Sequence, residues 1–163
     1  MKKNKGLTLI ELAIVLAVAG MLFYGIITIM KKAFDIWHLS IVNIDIQQKG
    51  RAALEEMTVY IRQSSNPVTG ISPAIGETDT AISFTYIKDD GNYIPMKYYK
   101  GGDALYRVFN GNTTTLVKSN VESIYFVHES SYVVKISSFT LKRRASTGEE
   151  SITFNRTINI RNQ

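Results

Sequence analysis

The sequence predicts an α+β protein in which a long N-terminal helix packs on an antiparallel β-sheet domain. Three observations predict this fold class. Leu7 to Met30 is an apolar run of 24 residues with a single charge, Glu11. Residues 31–63 then carry apolar side chains at helical spacing. Beyond residue 80 the apolar side chains alternate with a period of two, as in half-buried strands.

The first half of the predicted helix, residues 7–30, is long enough to cross a membrane. Twenty-four helical residues span about 36 Å, and the hydrocarbon core of a bilayer is about 30 Å thick. Lysines flank the run on both sides, so the charge rule favours a cytoplasmic N-terminus only weakly. A carboxylate within such a run costs a few kcal/mol to insert. We therefore expect Glu11 to have a partner.

The second half of the predicted helix, residues 31–63, is amphipathic. One apolar set recurs at spacings of three, four and three: Phe34, Trp37, Ile41 and Ile44. A second set repeats the rhythm after a shift of phase: Leu54, Met57 and Ile61. The helix should end near Gln63, because the residue before Pro67 is disfavoured in a helix. This stripe is predicted to pack against a sheet.

The remainder, residues 64–163, is predicted to be an antiparallel β domain. It opens with a loop of turn-forming residues, Ser64 to Asp79. Seven strands are predicted: Ala81–Lys88, Tyr93–Tyr99, Ala104–Phe109, Thr114–Lys118, Val121–His128, Tyr132–Leu141 and Ser151–Ile160. Short turns connect several of them: Asp89–Asn92, Lys100–Asp103 and Asn110–Asn112. Such connections predict a meander.

Composition excludes several classes of protein. The formal charge of +5 includes three lysines within the first five residues, and without them 16 basic side chains face 14 acidic ones. A chain so close to neutral has no global attraction for a polyanion. The absence of cysteine excludes disulfides and thiolate metal sites.

Three interpretations compete for the N-terminus. A secretory signal peptide would be cut after Ala17-Val18-Ala19, but the apolar run continues past that point instead of turning polar. A plain membrane anchor explains the length of the run and leaves Glu11 unexplained. A third interpretation uses the carboxylate.

The segment Lys5-Gly6-Leu7-Thr8-Leu9-Ile10-Glu11-Leu12 resembles the class III leader of type IV pilins and pseudopilins. The resemblance implies a leader of residues 1–6, cleavage between Gly6 and Leu7 by a prepilin peptidase, and N-methylation of Leu7. Glu11 is the fifth residue after that cut. It could neutralise a neighbouring subunit's new amine within the bilayer, where an unpaired charge is unfavourable.

Later segments resemble the PilW/GspJ/ComGF group of minor pilins. They are Arg51-Ala52-Ala53-Leu54, Tyr60-Ile61-Arg62-Gln63, Tyr98-Tyr99, Leu105-Tyr106-Arg107 and Ile160-Arg161-Asn162. This resemblance implies a single-pass subunit of the inner (cytoplasmic) membrane with an extracytoplasmic C-terminal domain. The subunit would enter the tip or priming complex of a pilus or pseudopilus. Its implied partners are minor and major pilins, the prepilin peptidase, the inner-membrane assembly platform and membrane lipid.

No catalytic motif, cofactor fingerprint or metal-ligand spacing is found in the sequence, so we expect neither an enzyme nor a cofactor. His38 and His128 lack partners at ligand spacing. The turn Asp89–Asn92 supplies oxygen atoms but fewer than calcium requires. Two alternatives stay open. One is a simple membrane-anchored domain. The other is a minor pilin that binds DNA or a surface through Lys142, Arg143 and Arg144, although a charged strand end is the favoured interpretation of that cluster.

Overall fold

The computed structural model describes residues 8–65, 70–88, 90–145 and 148–161. The chain divides into two compact units, residues 1–43 and residues 44–163. A single helix, α1, runs from Leu9 to Arg62 and so contributes to both units. The long N-terminal helix is thereby confirmed, with its end one residue before the predicted Gln63. The predicted start at Leu7 lies outside the described residues.

The described part of the first unit consists of α1 up to residue 43, and most of its large apolar side chains are exposed. Leu22 is 64% exposed, Ile29 70% and Trp37 58%. Among the described residues, α1 is the one helix long and apolar enough to cross a membrane. Contact with lipid or with other apolar helices would remove this surface from water, at about 25 cal/mol for each Å² buried.

Nine antiparallel strands form the described part of the second unit together with the end of α1. They are β1 (Ser64–Ser65), β2 (Thr78–Asp79), β3 (Ala81–Ile87), β4 (Tyr93–Gly101), β5 (Ala104–Phe109), β6 (Asn112–Val117), β7 (Val121–Ser130), β8 (Val133–Ala145) and β9 (Gly148–Asn159). All seven predicted strands are present, with ends shifted by a few residues. The two extra strands lie inside the predicted loop, and each is too short to show a period of two.

The strands form two sheets instead of one continuous meander. The first sheet has the order β1-β3-β4-β5-β6, and the second has the order β2-β7-β8-β9. Strands β6 and β7 are neighbours along the chain but belong to different sheets. Asn120, with a φ of +75°, lies in their connection. The sequence did not predict this division, because alternation marks each strand without specifying which strands exchange hydrogen bonds.

The core of the second unit lies between α1 and the sheets. The buried residues of α1 recur at three- and four-residue intervals: Ile46, Gly50, Ala53, Leu54, Met57, Thr58 and Ile61. The predicted packing of the second apolar set is thus confirmed. The first predicted set was wrong as a packed face, since Phe34, Trp37, Ile41 and Ile44 are all about half exposed. The buried face of α1 begins at Ile46, between the first apolar set, which ends at Ile44, and the second, which starts at Leu54.

Candidate functional sites

The start of α1 carries a reciprocal hydrogen-bonded pair between Thr8 and Glu11. The Glu11 Oε2 atom accepts the Thr8 backbone N–H at 2.8 Å and the Thr8 hydroxyl at 2.9 Å. The Glu11 backbone N–H lies 3.4 Å from the Thr8 hydroxyl oxygen. Thr8 immediately precedes the helix, so this is a capping box, in which the cap residue and the third helical residue satisfy each other's free donors.

The capping box leaves part of the Glu11 carboxylate free. Both hydrogen bonds from Thr8 go to Oε2, and Oε1 has no hydrogen bond among the described residues. Glu11 is exposed in the monomer. The start of a helix is also where free backbone N–H groups concentrate positive charge and stabilise a carboxylate. Glu11 can therefore cap its own helix and still accept a further donor.

Sequence reasoning assigned Glu11 only to a neighbour's amine and missed the role of Thr8. The signal was present, because Thr followed three residues later by Glu is the sequence pattern of a capping box. The proposed cleavage pair, Gly6 and Leu7, lies outside the described residues, so cleavage there stays a prediction.

The basic cluster of β8 is split by the pleat of the strand. Successive side chains of a strand point to opposite faces, so Lys142 and Arg143 cannot share one. The Lys142 Nζ atom lies 2.6 Å from Glu149 Oε2 and 3.6 Å from Glu122 Oε1. The Glu149 carboxylate, through its hydrogen bond and its charge, raises the pKa of Lys142, and Glu122 adds to the effect. Arg143 instead approaches Asp45 of α1 at 3.9 Å.

The cluster therefore does not form the joint basic patch that binding of DNA or a surface through Lys142, Arg143 and Arg144 would require. Two of its cations face carboxylates on different sides of the sheet, and the side chain of Arg144 is outside the described part. A polyanion would have to compete with Glu122 and Glu149 for Lys142. This lowers the local positive potential on which phosphate binding depends. Nucleic-acid contact stays an untested prediction, and a joint basic patch does not support it.

The two histidines occupy different environments. His38 is exposed beside Trp37, with ring centroids 5.9 Å apart. His128 lies within β7 and is only 1% exposed, and its Nδ1 atom lies 3.1 Å from the Pro73 carbonyl oxygen. His128 is buried because residues 70–77 pack on β7. The local sequence around His128 does not predict this packing.

The turn at residues 89–92 is stabilised locally. The Asp90 carboxylate accepts the Asn92 backbone N–H at 3.0 Å and lies 3.1 Å from Lys88 Nζ. These contacts, the Asn92 hydrogen bond first, lower the pKa of Asp90. Asp89 lies outside the described residues. Within the described ranges, no group of three or more His, Asp or Glu side chains could hold a metal ion.

Comparison with known proteins bears on the N-terminus. Residues 1–25 match the family model described as the prokaryotic N-terminal methylation motif. The chain thus carries a prepilin-type class III signal, and the match supports a type IV pilin-like protein, a structural class and not an enzymatic one. The apolar helix α1, which begins within this motif, supports membrane anchoring. Comparison with curated proteins and with solved structures found no significant match.

Proposed function

We propose that this chain is a minor pilin or pseudopilin, a structural subunit of a type IV pilus-like filament. The observation that carries the proposal is the methylation motif at residues 1–25, whose apolar part forms the start of the long, exposed helix α1. A pilus, a type II secretion system and a DNA-uptake machine all use subunits of this plan. The resemblance to the PilW/GspJ/ComGF group favours a place in the tip or priming complex.

In this proposal the subunit first resides in the inner membrane with residues 64–163 outside the cytoplasm. A prepilin peptidase cuts between Gly6 and Leu7, and the new amine of Leu7 is methylated. The helix then leaves lipid and packs against the helices of neighbouring minor and major pilins at the assembly platform. Helix packing supplies the adhesion, and no catalytic chemistry is required of this chain.

Glu11 sets the register of that packing. Its Oε1 atom accepts no hydrogen bond among the described residues, so it can receive the N-terminal amine of an adjacent subunit while Oε2 keeps the Thr8 contacts. Pairing removes an unfavourable isolated charge from the apolar environment. The capping box holds the carboxylate at the first turn of the helix, which reduces the conformational entropy lost on pairing.

The first experiment is to measure the intact mass and N-terminal sequence of the protein from its native membrane. A chain that begins at methylated Leu7 would establish processing. A chain that begins at Gly20 would identify a secreted protein, and an uncut Met1 would leave a simple anchored domain. Either of the last two results contradicts the proposal.

Substitutions at Glu11 separate its two roles. Glu11→Gln keeps an acceptor for the capping box but removes the charge, whereas Glu11→Ala removes both. We expect both variants to insert in the membrane. Both should co-purify with partner pilins about tenfold less than the native chain, because an unpaired amine in an apolar environment costs more than 1.4 kcal/mol. Quantitative immunoblotting of cross-linked complexes measures this.

Thr8→Ala is the matched control for the Glu11 variants, since it weakens the capping box and leaves the Glu11 charge in place. It should retain most of the co-purification. If Glu11→Gln assembles normally while Glu11→Ala and Thr8→Ala do not, Glu11 acts as a helix cap alone and charge pairing is wrong.

A further inference from the structure

Strand β6 forms one edge of the five-stranded sheet, and residues of α1 and β6 together line the space beside it. Two adjoining cavities of about 250 Å³ and 260 Å³ lie along this edge and share Lys49, Thr115 and Leu116. Together they form a channel, here called the edge groove. Its described lining is the α1 residues Lys49, Ala52, Ala53 and Glu56, then Arg107 of β5, and residues 114–119. All of these residues belong to the second unit.

At the open edge next to the groove, the backbone of β6 has hydrogen-bonding groups without a partner among the described residues. Asn110 and Gly111 have φ values of +49° and +79°, as in the two-residue turn that makes the flanking Phe109 and Asn112 a hydrogen-bonded pair. Hydrogen-bonded and non-hydrogen-bonded pairs alternate in an antiparallel ladder. Thr113 and Thr115 are therefore in non-hydrogen-bonded pairs with β5, and their N–H and C=O groups point to the open edge.

The regular edge ends at Leu116. The register of β5 and β6 shifts between Leu105 and Tyr106, because Leu105 faces Val117 while Tyr106 faces Thr115. Leu116 is the additional residue of this bulge, and bulges interrupt pairing. Asn112 to Thr115 is thus the stretch on which a further strand can form regular hydrogen bonds. All four of these residues are exposed.

The walls of the groove suit an extended chain of small side chains. The lining includes the small residues Ala52 and Ala53 on the helix side, of which Ala53 is buried, and the apolar Leu116 on the strand side. Arg107 and Glu56, which both line the groove, form an ion pair with 2.5 Å between Arg107 Nη1 and Glu56 Oε1, and both side chains are only partly exposed.

The charge of the groove favours an acidic partner. Its described lining carries three cations and one carboxylate: Lys49, Arg107, Lys118 and Glu56. Lys49 is paired with Asp45 at 2.7 Å, and Arg107 is paired with Glu56. Lys118 is exposed and has no ion pair among the described residues. An incoming carboxylate near residue 118 would complete the charge balance.

We propose that β6 takes up an extended acidic segment of another protein as an additional strand of the sheet. Main-chain hydrogen bonds to Thr113 and Thr115 supply the binding, and the groove and Lys118 supply the selectivity. The proposal goes beyond the role as a filament subunit and does not depend on processing at Gly6. The mass analysis above and the binding experiment below can therefore fail independently.

The test uses the full-length chain in detergent micelles and two fluorescein-labelled synthetic peptides. The acidic probe is Asp-Thr-Val-Thr-Val-Thr-Asp, and the basic probe carries Lys at both ends instead. We expect saturable binding of the acidic probe by fluorescence anisotropy, at least about tenfold tighter than that of the basic probe. A third peptide with Pro at its centre cannot complete a strand and reports adsorption to micelles.

Three substitutions locate the binding. Thr115→Pro removes an outward N–H from the edge, and Thr115→Val keeps it, so only the former should weaken binding, by about fivefold or more. Lys118→Glu, at an exposed position, should reverse the preference between the acidic and basic probes without affecting the fold. Hydrogen exchange should show the Thr113 and Thr115 amides protected when the acidic probe is bound.

Three results overturn the proposal. The first is no binding of the acidic probe at millimolar concentration. The second is equal binding by the native chain and Lys118→Glu. The third is binding that leaves exchange at Thr113 and Thr115 unchanged. If Thr115→Pro does not fold, the Lys118→Glu reversal and the exchange data decide the question without it.

Discussion

At the scale of single residues, Tyr98 shows how burial changes the chemistry of a side chain. Tyr98 is fully buried on β4, and its hydroxyl has no hydrogen-bond partner within the described residues. Burial, aided by the negative charge of Glu56, raises the pKa of Tyr98 well above its ordinary value of about 10. The folded state therefore accepts only the neutral phenol.

The raised pKa of Tyr98 predicts alkaline instability. Stability is independent of this ionisation below about pH 10, the pKa of the unfolded phenol, and falls as pH rises above that value, because only the unfolded state can then release the proton easily. Tyr98→Phe removes the ionisable group. The loss of melting temperature between pH 7 and about pH 10.5 should then be smaller, measured by near-ultraviolet circular dichroism of the full chain in micelles.

The same variant should be at least as stable as the native chain at pH 7, with a gain of up to about 1 kcal/mol, because it removes a buried hydroxyl without a partner. Tyr93→Phe is the matched control, since Tyr93 is 69% exposed. An alkaline loss as steep in Tyr98→Phe as in Tyr93→Phe would contradict this account.

At the scale of elements, the contact between α1 and β9 depends on a glycine. A Cβ atom at Gly50 would meet the Phe154 ring at far less than contact distance. Because glycine has no side chain, the helix and the sheet approach each other closely at Gly50. Most other residues at this position would force them apart. The Phe154 ring continues into an aromatic contact with Phe139 of β8, with centroids 5.9 Å apart.

Gly50→Ala is therefore expected to destabilise the second unit. Overpacking costs about 1–3 kcal/mol, and the higher helix propensity of Ala returns about 1 kcal/mol, so we expect a net loss of about 1 kcal/mol. In a Phe154→Leu background the clash is relieved and Gly50→Ala should be neutral or stabilising. Thermal melts of the native chain, the two single variants and the double variant form a double-mutant cycle.

Gly20→Ala is the control for the helix effect, because a Cβ atom there meets nothing within 4 Å. It should leave the melting of the second unit unchanged. If Gly50→Ala changes the melting temperature equally in the native and the Phe154→Leu backgrounds, contact with the Phe154 ring does not explain the need for glycine at position 50.

At the scale of the whole molecule, the two units differ in what they need from their surroundings. The large side chains of the second unit's described core all lie beyond residue 45, from Ile46 to Ile160. Most of the large exposed apolar side chains of the described residues lie before residue 43. The second unit thus holds a core that excludes water, whereas the first exposes its apolar surface.

A fragment of residues 44–163 should accordingly fold without detergent. We expect a monomer by size-exclusion chromatography and a single cooperative unfolding transition, because the fragment keeps the helix segment that covers both sheets. The full chain should require micelles. An aggregated or unfolded fragment would show that residues 1–43 contribute to the fold of the second unit.

The sequence by itself determined the α+β class, a helix long enough to span a membrane, the seven longer strands and the class III signal that includes Glu11. These features are encoded locally, in periods of 3.6 and 2 and in one short motif. Thr8 was equally predictable from its spacing to Glu11.

Only the tertiary structure decided the division into two sheets, the burial of His128, the carboxylate partners of Lys142 and Arg143, and the groove beside β6. Each depends on residues far apart in the chain, such as Asp45 with Arg143 or Glu56 with Arg107. Alternation along a strand specifies two faces but not the neighbour that covers either one. The free energy of long-range packing makes that choice, and no local pattern records it.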